Sequence, residues 1–168
     1  MDHLCGLGHR RIAYIAGPKL SSTARERLAN FRLGMAARGL EVEDRMVVQG
    51  NYNIDAGIAA ARQLLSLTPI PTAVISASDF AAVGVITHCQ EIGVRVPEHI
   101  SVVGFDDAFN VQTDMLYPLT VQCITTVDQP KRALGRAAGQ LLLERISDPQ
   151  SQLKAVVLAT TLKVRHTT

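Results

Sequence analysis

The sequence predicts an α/β fold with a doubly wound parallel sheet. Short apolar runs flanked by glycine or proline indicate buried strands at residues 12–16, 46–48, 72–76 and 101–103. Segments with helical periodicity separate these runs, and each is long enough for a crossover between parallel strands. A chain of 168 residues can bury about two-thirds of the surface that its unfolded form exposes, so one well-formed core is expected.

Composition and charge exclude several classes of protein. Cys5, Cys89 and Cys123 lack C-x-x-C spacing and lie in or beside apolar runs, which favours reduced thiols over disulfides or a metal site. No signal-peptide pattern opens the chain, and no apolar run approaches the roughly 20 residues that span a bilayer. A net charge of +2 is too weak for a nucleic-acid surface. We therefore expect a cytoplasmic protein without membrane contact and without a cofactor.

The first elements follow from capping and periodicity. Residues 1–9 resemble the last turn of a helix that ends at Gly8, and the strand of 12–16 follows. Thr23 and Glu26 form a T-x-x-E capping box, which predicts the N-terminus of the next helix. The residues on the apolar face of that helix are Ala24, Leu28, Phe31 and Met35.

The middle of the chain repeats the pattern of strand, loop and helix. Asn51 and Tyr52 lead from the second strand into a helix that cannot continue past Pro69. Ser78 and Asp79 follow the third strand and cap the next helix. The strand of 101–103 completes the predicted sheet core.

Irregular sequence and further elements follow Asp107. Residues 121–127 predict another strand, and Pro130 begins a helix that ends near Asp148. The apolar positions of this helix are Leu134, Ala138, Leu141 and Leu142. Short strands are expected at 155–158 and 162–164.

Polar side chains collect at the carboxyl ends of the predicted strands, where ligands of open α/β sheets bind. In chain order they are Ser22, Thr23, Arg27, Asn51, Tyr52, Ser78, Asp79, Asp106 and Asp107. Carboxylate, guanidinium, hydroxyl and aromatic groups together suit a neutral polyhydroxylated ligand such as a sugar. Neither G-x-x-x-x-G-K-[ST] nor G-x-G-x-x-G occurs, so a phosphate cradle is poorly supported.

Several segments, in this order, resemble the sugar-sensing domain of the LacI/GalR family of bacterial transcriptional regulators. Its core is similar to periplasmic sugar-binding proteins. The segments are H-L-C-G-L-G-H-R-R-I-A-Y-I-A-G-P (3–18), T-A-R-E-R-L-A-N-F (23–31), I-P-T-A-V-I-S-A-S-D-F-A-A-V-G (70–84), V-P-E-H-I-S-V-V-G-F-D-D (96–107), I-T-T-V-D-Q-P (124–130) and L-G-R-A-A-G-Q-L-L-L (134–143).

The resemblance implies an effector-binding domain without enzymatic activity. Arg27 and Asp106 would hydrogen-bond sugar hydroxyls, Tyr52 would stack on the ligand, and Thr23 and Ser78 would line the same cleft. The resemblance also implies a homodimer through the helices of 54–67 and 79–92. Its expected contact residues are Ala56, Ala60, Ala82 and Val83.

The resemblance further implies that residues 1–168 are a partial effector-binding domain, one lobe of a periplasmic-binding-protein-like fold. Residues 10–120 would form the C-terminal lobe, 121–147 a crossover strand and helix that belong to the N-terminal lobe, and 148–168 the return. The family's helix-turn-helix is not in this sequence, so DNA would be bound only through such a domain. Without the other lobe, the helix of 130–146 is expected to dock elsewhere on its own chain or on a neighbouring subunit.

A different class of function stays open from the residues alone. Asp79, or Asp106 with Asp107, could bind Mg²⁺ in a small α/β phosphoryl-transfer enzyme or hydrolase. No Ser/His/Asp order, H-E-x-x-H motif or paired-cysteine site supports catalysis, and Lys19 is the only lysine in those loops. The regulator is therefore the leading hypothesis, with no catalytic or metal-binding residue expected.

Overall fold

The computed structural model describes residues 1–108 and 123–168, and within them it confirms the doubly wound α/β fold. The elements are α1 (Asp2–Gly6), β1 (Ile12–Ala16), α2 (Ser22–Ala36), a 3₁₀ turn (Asp44–Met46), β2 (Val47–Gln49), α3 (Ile54–Leu65), β3 (Ala73–Ser76), α4 (Asp79–Glu91), β4 (Ser101–Asp106), β5 (Thr125–Asp128), α5 (Lys131–Ser147) and β6 (Thr161–Lys163). The sheet order is β2-β1-β3-β4-β5-β6. All neighbouring strands pair in parallel except β5 with β6, which is antiparallel.

Strand β1 is buried on both faces and separates two apolar layers. Ala13 and Ile15 pack in the layer that contains α3 and α4. Tyr14 points to the other face, where its ring stacks on Phe31 of α2 at a centroid distance of 4.8 Å. This alternation fixes α2 on one side of the sheet and the α3–α4 pair on the other.

Helices α3 and α4 cross with their backbones in contact. A Cβ atom added to Gly57 would lie 2.1 Å from the carbonyl oxygen of Ala81, and one added to Gly84 would lie 2.1 Å from that of Ile54. Both glycines are required because no side chain fits at the crossing. The two helices therefore pack as a closely spaced pair on one face of the sheet.

The last residues dock at the amino ends of β4 and β5. The carbonyl of Thr167 accepts a hydrogen bond from Val102 N at 2.7 Å, and its hydroxyl donates to Val102 O at 2.6 Å. Thr168 Oγ1 lies 2.8 Å from His3 Nε2, so the two ends of the sequence meet at this edge.

Three expectations about the elements are corrected. Helix α2 begins two residues earlier than the T-x-x-E motif predicts, because the N-cap is Ser21, whose hydroxyl accepts a hydrogen bond from Ala24 N at 3.2 Å, and not Thr23. Residues 155–158 form no strand, since no described strand lies alongside them and Val157 is 93% exposed. Strand β4 continues to Asp106, because it pairs with β5 as far as Asp128.

Helix α5 forms with bounds close to those predicted, but none of its residues is buried. Leu142, Leu143 and Ile146 are each more than half exposed. The expected docking of this helix is therefore not found in the described part of the chain. Residues 121 and 122 of the predicted fifth strand lie outside the described residues. Among those that are described, no helix is long and apolar enough to cross a membrane.

Replacing Gly84 by alanine should destabilise the protein, because the new methyl group has no room at the helix crossing. We expect the free energy of unfolding to fall by roughly 1–3 kcal/mol or more in urea denaturation. Gly139→Ala in α5 is the matched control, since nothing lies within 4 Å of its added Cβ. That control should be neutral or stabilising by up to about 1 kcal/mol. Equal losses in both variants would contradict the proposed role of the crossing.

Candidate ligand-binding cleft

Arg27 is fixed at the carboxyl edge of the sheet by three neighbours. Its Nη1 donates to the carbonyl of Ala77 at 2.8 Å, and its Cζ lies 3.7 Å from the ring centroid of Phe105. Its Nη2 lies 3.6 Å from Asp106 Oδ1. The side chains of Arg27 and Asp106 are 20% and 34% exposed, so each keeps part of its polar surface accessible. Phe105 was not predicted as a site residue, although its place beside Asp106 could have indicated it.

Two residues after β5 complete the surroundings of Asp106. Gln129 donates a hydrogen bond to Asp106 Oδ1, and the Lys131 ammonium donates to the backbone carbonyls of Asp106 and Asp107. Neither residue was predicted, because both follow the fifth strand and the predicted site residues come from the loops after the first four. The T-T-V-D-Q-P segment, which contains Gln129 and directly precedes Lys131, was the feature of the sequence that could have indicated them.

The two neighbouring aspartates have different environments. Both carboxylate oxygens of Asp107 are occupied, by Lys163 Nζ at 2.6 Å and Arg165 Nη2 at 2.7 Å. Partial burial alone would raise the pKa of Asp107, but the hydrogen bonds from these two cations hold it below its ordinary value. Lys163 also pairs with Asp128 at 2.8 Å, and the hydrogen bonds that Lys163 donates to Asp107 and Asp128 raise its own pKa. Asp107 is therefore a structural ion-pair partner.

Asp79 is almost completely buried and hydrogen-bonded. Thr126 Oγ1 donates to its Oδ1 at 2.6 Å, and Ala108 N donates to its Oδ2 at 2.7 Å. Burial raises the pKa of this carboxyl, and the two hydrogen bonds offset part of that effect. A Cβ at Gly104 would lie 2.0 Å from Asp79 Oδ1, so only glycine fits there.

The other predicted residues differ in how close they lie to the cleft. Thr23 lines a cleft of about 460 Å³ together with Arg27, Phe105 and Gln129. The ring of Tyr52 lies against Gly17, where an added Cβ would be 2.4 Å from it. The other residues along the cleft include Glu26 and Asn30 of α2 and an apolar floor of Tyr14, Phe31, Ile75 and Val103.

Ser78 is 3% exposed, and its Oγ accepts a hydrogen bond from Ala81 N at 3.2 Å as the N-cap of α4. Its side chain therefore lies beneath the edge. The geometry brings together Thr23 and Arg27, which line one cleft, and Asp106, which lies 3.6 Å from Arg27. Among the described residues, no group of three or more His, Cys, Asp or Glu side chains could hold a metal ion.

The fold and this edge define a class of protein. The model of the periplasmic binding protein-like domain matches residues 1–168, and the chain belongs to that family. Its relatives within the family are LacI-type regulators with a helix-turn-helix. HTH-type transcriptional regulator CelR of Thermobifida fusca is 38% identical over 165 residues, which are 98% of this chain and 47% of CelR. HTH-type transcriptional repressor PurR of Photobacterium profundum is 33% identical over 97% of this chain and 47% of PurR.

Solved structures agree with these relatives. A CelR–cellobiose complex matches 99% of this chain and 49% of that protein, at 36% identity and a TM-score of 0.86. The Lac repressor bound to ONPG matches 99% of this chain and 48% of the repressor, at 32% identity and a TM-score of 0.85. The chain thus spans about half the length of the regulators it matches. The resemblance to the LacI/GalR family is confirmed.

Asp107→Asn should lower stability at neutral pH and have less effect in acid. A carboxyl whose pKa is lowered by folding stabilises the protein above its ordinary pKa, and this contribution is lost as pH falls through the folded value. We expect a loss of about 1.5–3 kcal/mol at neutral pH, typical of hydrogen bonds to charged groups. Urea denaturation at a series of pH values measures it.

Asp44→Asn is the control for that experiment, because Asp44 pairs with Arg32 at 3.0 Å in an exposed ion pair. Its effect should stay within about 0.5 kcal/mol at every pH. A loss for Asp107→Asn that persists unchanged below about pH 3 would contradict the ion-pair explanation.

Proposed function

We propose that this chain is the effector-binding part of a LacI-type transcriptional regulator and that its effector is a sugar or sugar-like molecule. The observation that carries the proposal is the Arg27–Asp106 pair at the rim of the 460 Å³ cleft. Cellobiose and ONPG are the molecules named in complexes of two similar regulators.

The Arg27–Asp106 geometry suits a hydroxyl group. A separation of 3.6 Å between Nη2 and Oδ1 is too long for a direct hydrogen bond. A sugar hydroxyl can donate to the carboxylate and accept from the guanidinium at the same time, and both bonds are charge-assisted. Because the two charges cancel, the site favours a neutral ligand over an anion or a cation.

The other site residues have secondary roles in this proposal. Thr23 adds a hydroxyl to the rim. Stacking of a sugar ring on Tyr52 stays a prediction, since the Tyr52 ring lies against Gly17 and is not among the residues that line the cleft. A contact between Ser78 and the ligand stays a prediction, since the Ser78 hydroxyl already caps α4. The magnesium enzyme is not favoured, because Asp79 and Asp107 are held by separate partners. The relatives are transcriptional regulators, which fits a protein without catalytic activity.

The domain organisation also stays a proposal. Residues 10–120 would form the C-terminal lobe, 121–147 would pack in an N-terminal lobe, and 148–168 would return. The apolar surface of α5, which the described residues leave uncovered, supports this division. DNA would then be bound only by a helix-turn-helix outside this sequence, and the cytoplasmic location remains an expectation.

A homodimer through α3 and α4 is part of the same proposal. Ala60 and Ala82, expected at the dimer surface, instead lie in the core of the subunit at 1% and 0% exposure. Their side chains pack in the same core cluster as Ala13 and Ile15 of β1. Ala56 and Val83 remain partly exposed, so the proposed contact is centred on them.

The effector site can be tested with cellobiose and ONPG as probes in an NMR titration of the isotope-labelled chain. With one lobe present, affinity no tighter than about millimolar is expected, because water competes on the open side. Arg27→Ala and Asp106→Ala should each weaken binding by about tenfold or more. Arg25→Ala is the control, since Arg25 donates to the carbonyls of Lys19 and Leu20. Shifts in all three variants equal to the wild type would remove Arg27 and Asp106 from the site.

Light scattering at high protein concentration tests the dimer. The wild type should have twice the mass of one chain, and Val83→Lys should have the mass of a single chain because a charge would be buried at the contact. Leu33→Lys, at an exposed position of α2 on the other face of the sheet, should remain dimeric. A single-chain mass for the wild type would exclude this dimer.

A further inference from the structure

The turn that follows β4 has an unusual backbone. Asp106 has φ of 104° and Asp107 has φ of 46°, and neither residue is glycine. Side chains with a Cβ rarely adopt positive φ, because the Cβ approaches neighbouring backbone atoms. Two such residues in succession persist only when the surroundings impose the conformation. The contacts that impose it therefore control where the Asp106 carboxylate points.

Lys131 donates to the backbone carbonyls of both residues, and the C-terminal end of the chain supplies the two cations that hold the Asp107 side chain. Lys163 at the end of β6 and Arg165 just beyond it each bind one oxygen of the Asp107 carboxylate, at 2.6 and 2.7 Å. Because both oxygens are engaged from different directions, the side chain of Asp107 cannot rotate without breaking an ion pair. The side chain is only 13% exposed, so solvent does not readily replace either partner.

The two cations are themselves anchored. Arg165 donates from Nη1 to the carbonyl of Ile124 at 2.9 Å, and its backbone N donates to Thr125 Oγ1 at 2.9 Å. Lys163 pairs with Asp128 at 2.8 Å, at the end of β5. The clamp on Asp107 is thus built on β5 and β6, which are already joined by an antiparallel ladder.

The consequence reaches Asp106, which is next to Asp107 in the turn. With Asp107 held, the carboxylate of Asp106 is directed to the rim, where it lies between Arg27 and Gln129. If the turn relaxed to negative φ, the Asp106 side chain would leave this position and the pair with Arg27 would be lost.

We infer that Lys163 and Arg165 are positioning residues of the effector site, which act on the ligand through Asp107 and the positive-φ turn. The inference rests on the proposed function for its consequence in binding, but its geometric part does not depend on any ligand. A merely structural role would stabilise the C-terminal segment and leave the turn unchanged when the cations are removed.

NMR of the ligand-free, labelled chain of 168 residues tests the geometric part. A residue at positive φ brings its amide and Hα protons close together, so the wild type should show strong intraresidue NOEs at Asp106 and Asp107. These NOEs should weaken to ordinary intensity in Arg165→Met and in Lys163→Met. Arg32→Met, which removes the exposed Arg32–Asp44 pair, is the matched control and should leave them unchanged. Arg165→Lys keeps the charge and should retain the turn in part if Arg165→Met does not fold.

Binding of cellobiose to the same chain tests the functional part through a double-mutant cycle. Arg165→Met should weaken binding about fivefold or more when Asp106 is present, and less than about twofold in an Asp106→Asn background. NOEs that persist in both methionine variants, or equal losses of affinity in the two backgrounds, would overturn the inference. An Asp106→Asn variant that binds as well as the wild type would instead overturn the proposed site, and the NOE result would still decide the clamp.

Discussion

The buried carboxylate of Asp79 joins three segments of the chain at the carboxyl edge of the sheet. It begins α4, accepts the hydroxyl of Thr126 on β5, and accepts the amide of Ala108 after β4. A buried carboxylate is tolerated only when its oxygens are hydrogen-bonded, so each of these partners must stay in place. The glycine at position 104 follows from the same contact, since the carboxylate occupies the space of a side chain. The position of the Asp106–Asp107 turn between β4 and Ala108 depends on this junction.

The order of the elements could be predicted because the spacing of apolar residues in the sequence reflects which side chains of a strand or helix are buried. The strand of 12–16 is apolar at every position and is buried at every position. Helix boundaries were less accurate where two capping residues compete, as Ser21 and Thr23 do. The prediction of a strand at 155–158 was wrong because a strand needs a neighbouring strand to pair with. An apolar run in the sequence does not show whether such a neighbour exists.

The location of the candidate site could be predicted in part. Thr23 and Arg27 line the cleft and Asp106 lies beside Arg27, because loops after parallel strands meet at one edge. The local sequence could not distinguish Asp106 from Asp107, and only the family resemblance singled out Asp106. The difference arises from Lys163 and Arg165, more than fifty residues away in the chain. Gln129 and Phe105 were missed for a similar reason: their roles follow from which strands are neighbours.

The contact between His3 and Thr168 places residues at the two ends of the sequence side by side at the amino ends of the strands, whereas Arg27 and Asp106 lie at the carboxyl ends. A short peptide linker could therefore join residues 1 and 168 of this sequence into a circular chain, and it would run beside the cleft, which Met1 and His3 also line. Closing a loop of this length would reduce the conformational entropy of the unfolded chain by an amount worth about 5 kcal/mol. The same proximity would permit a circular permutation, with new ends opened in an exposed loop, as a way to couple occupancy of the cleft to an inserted fluorescent reporter.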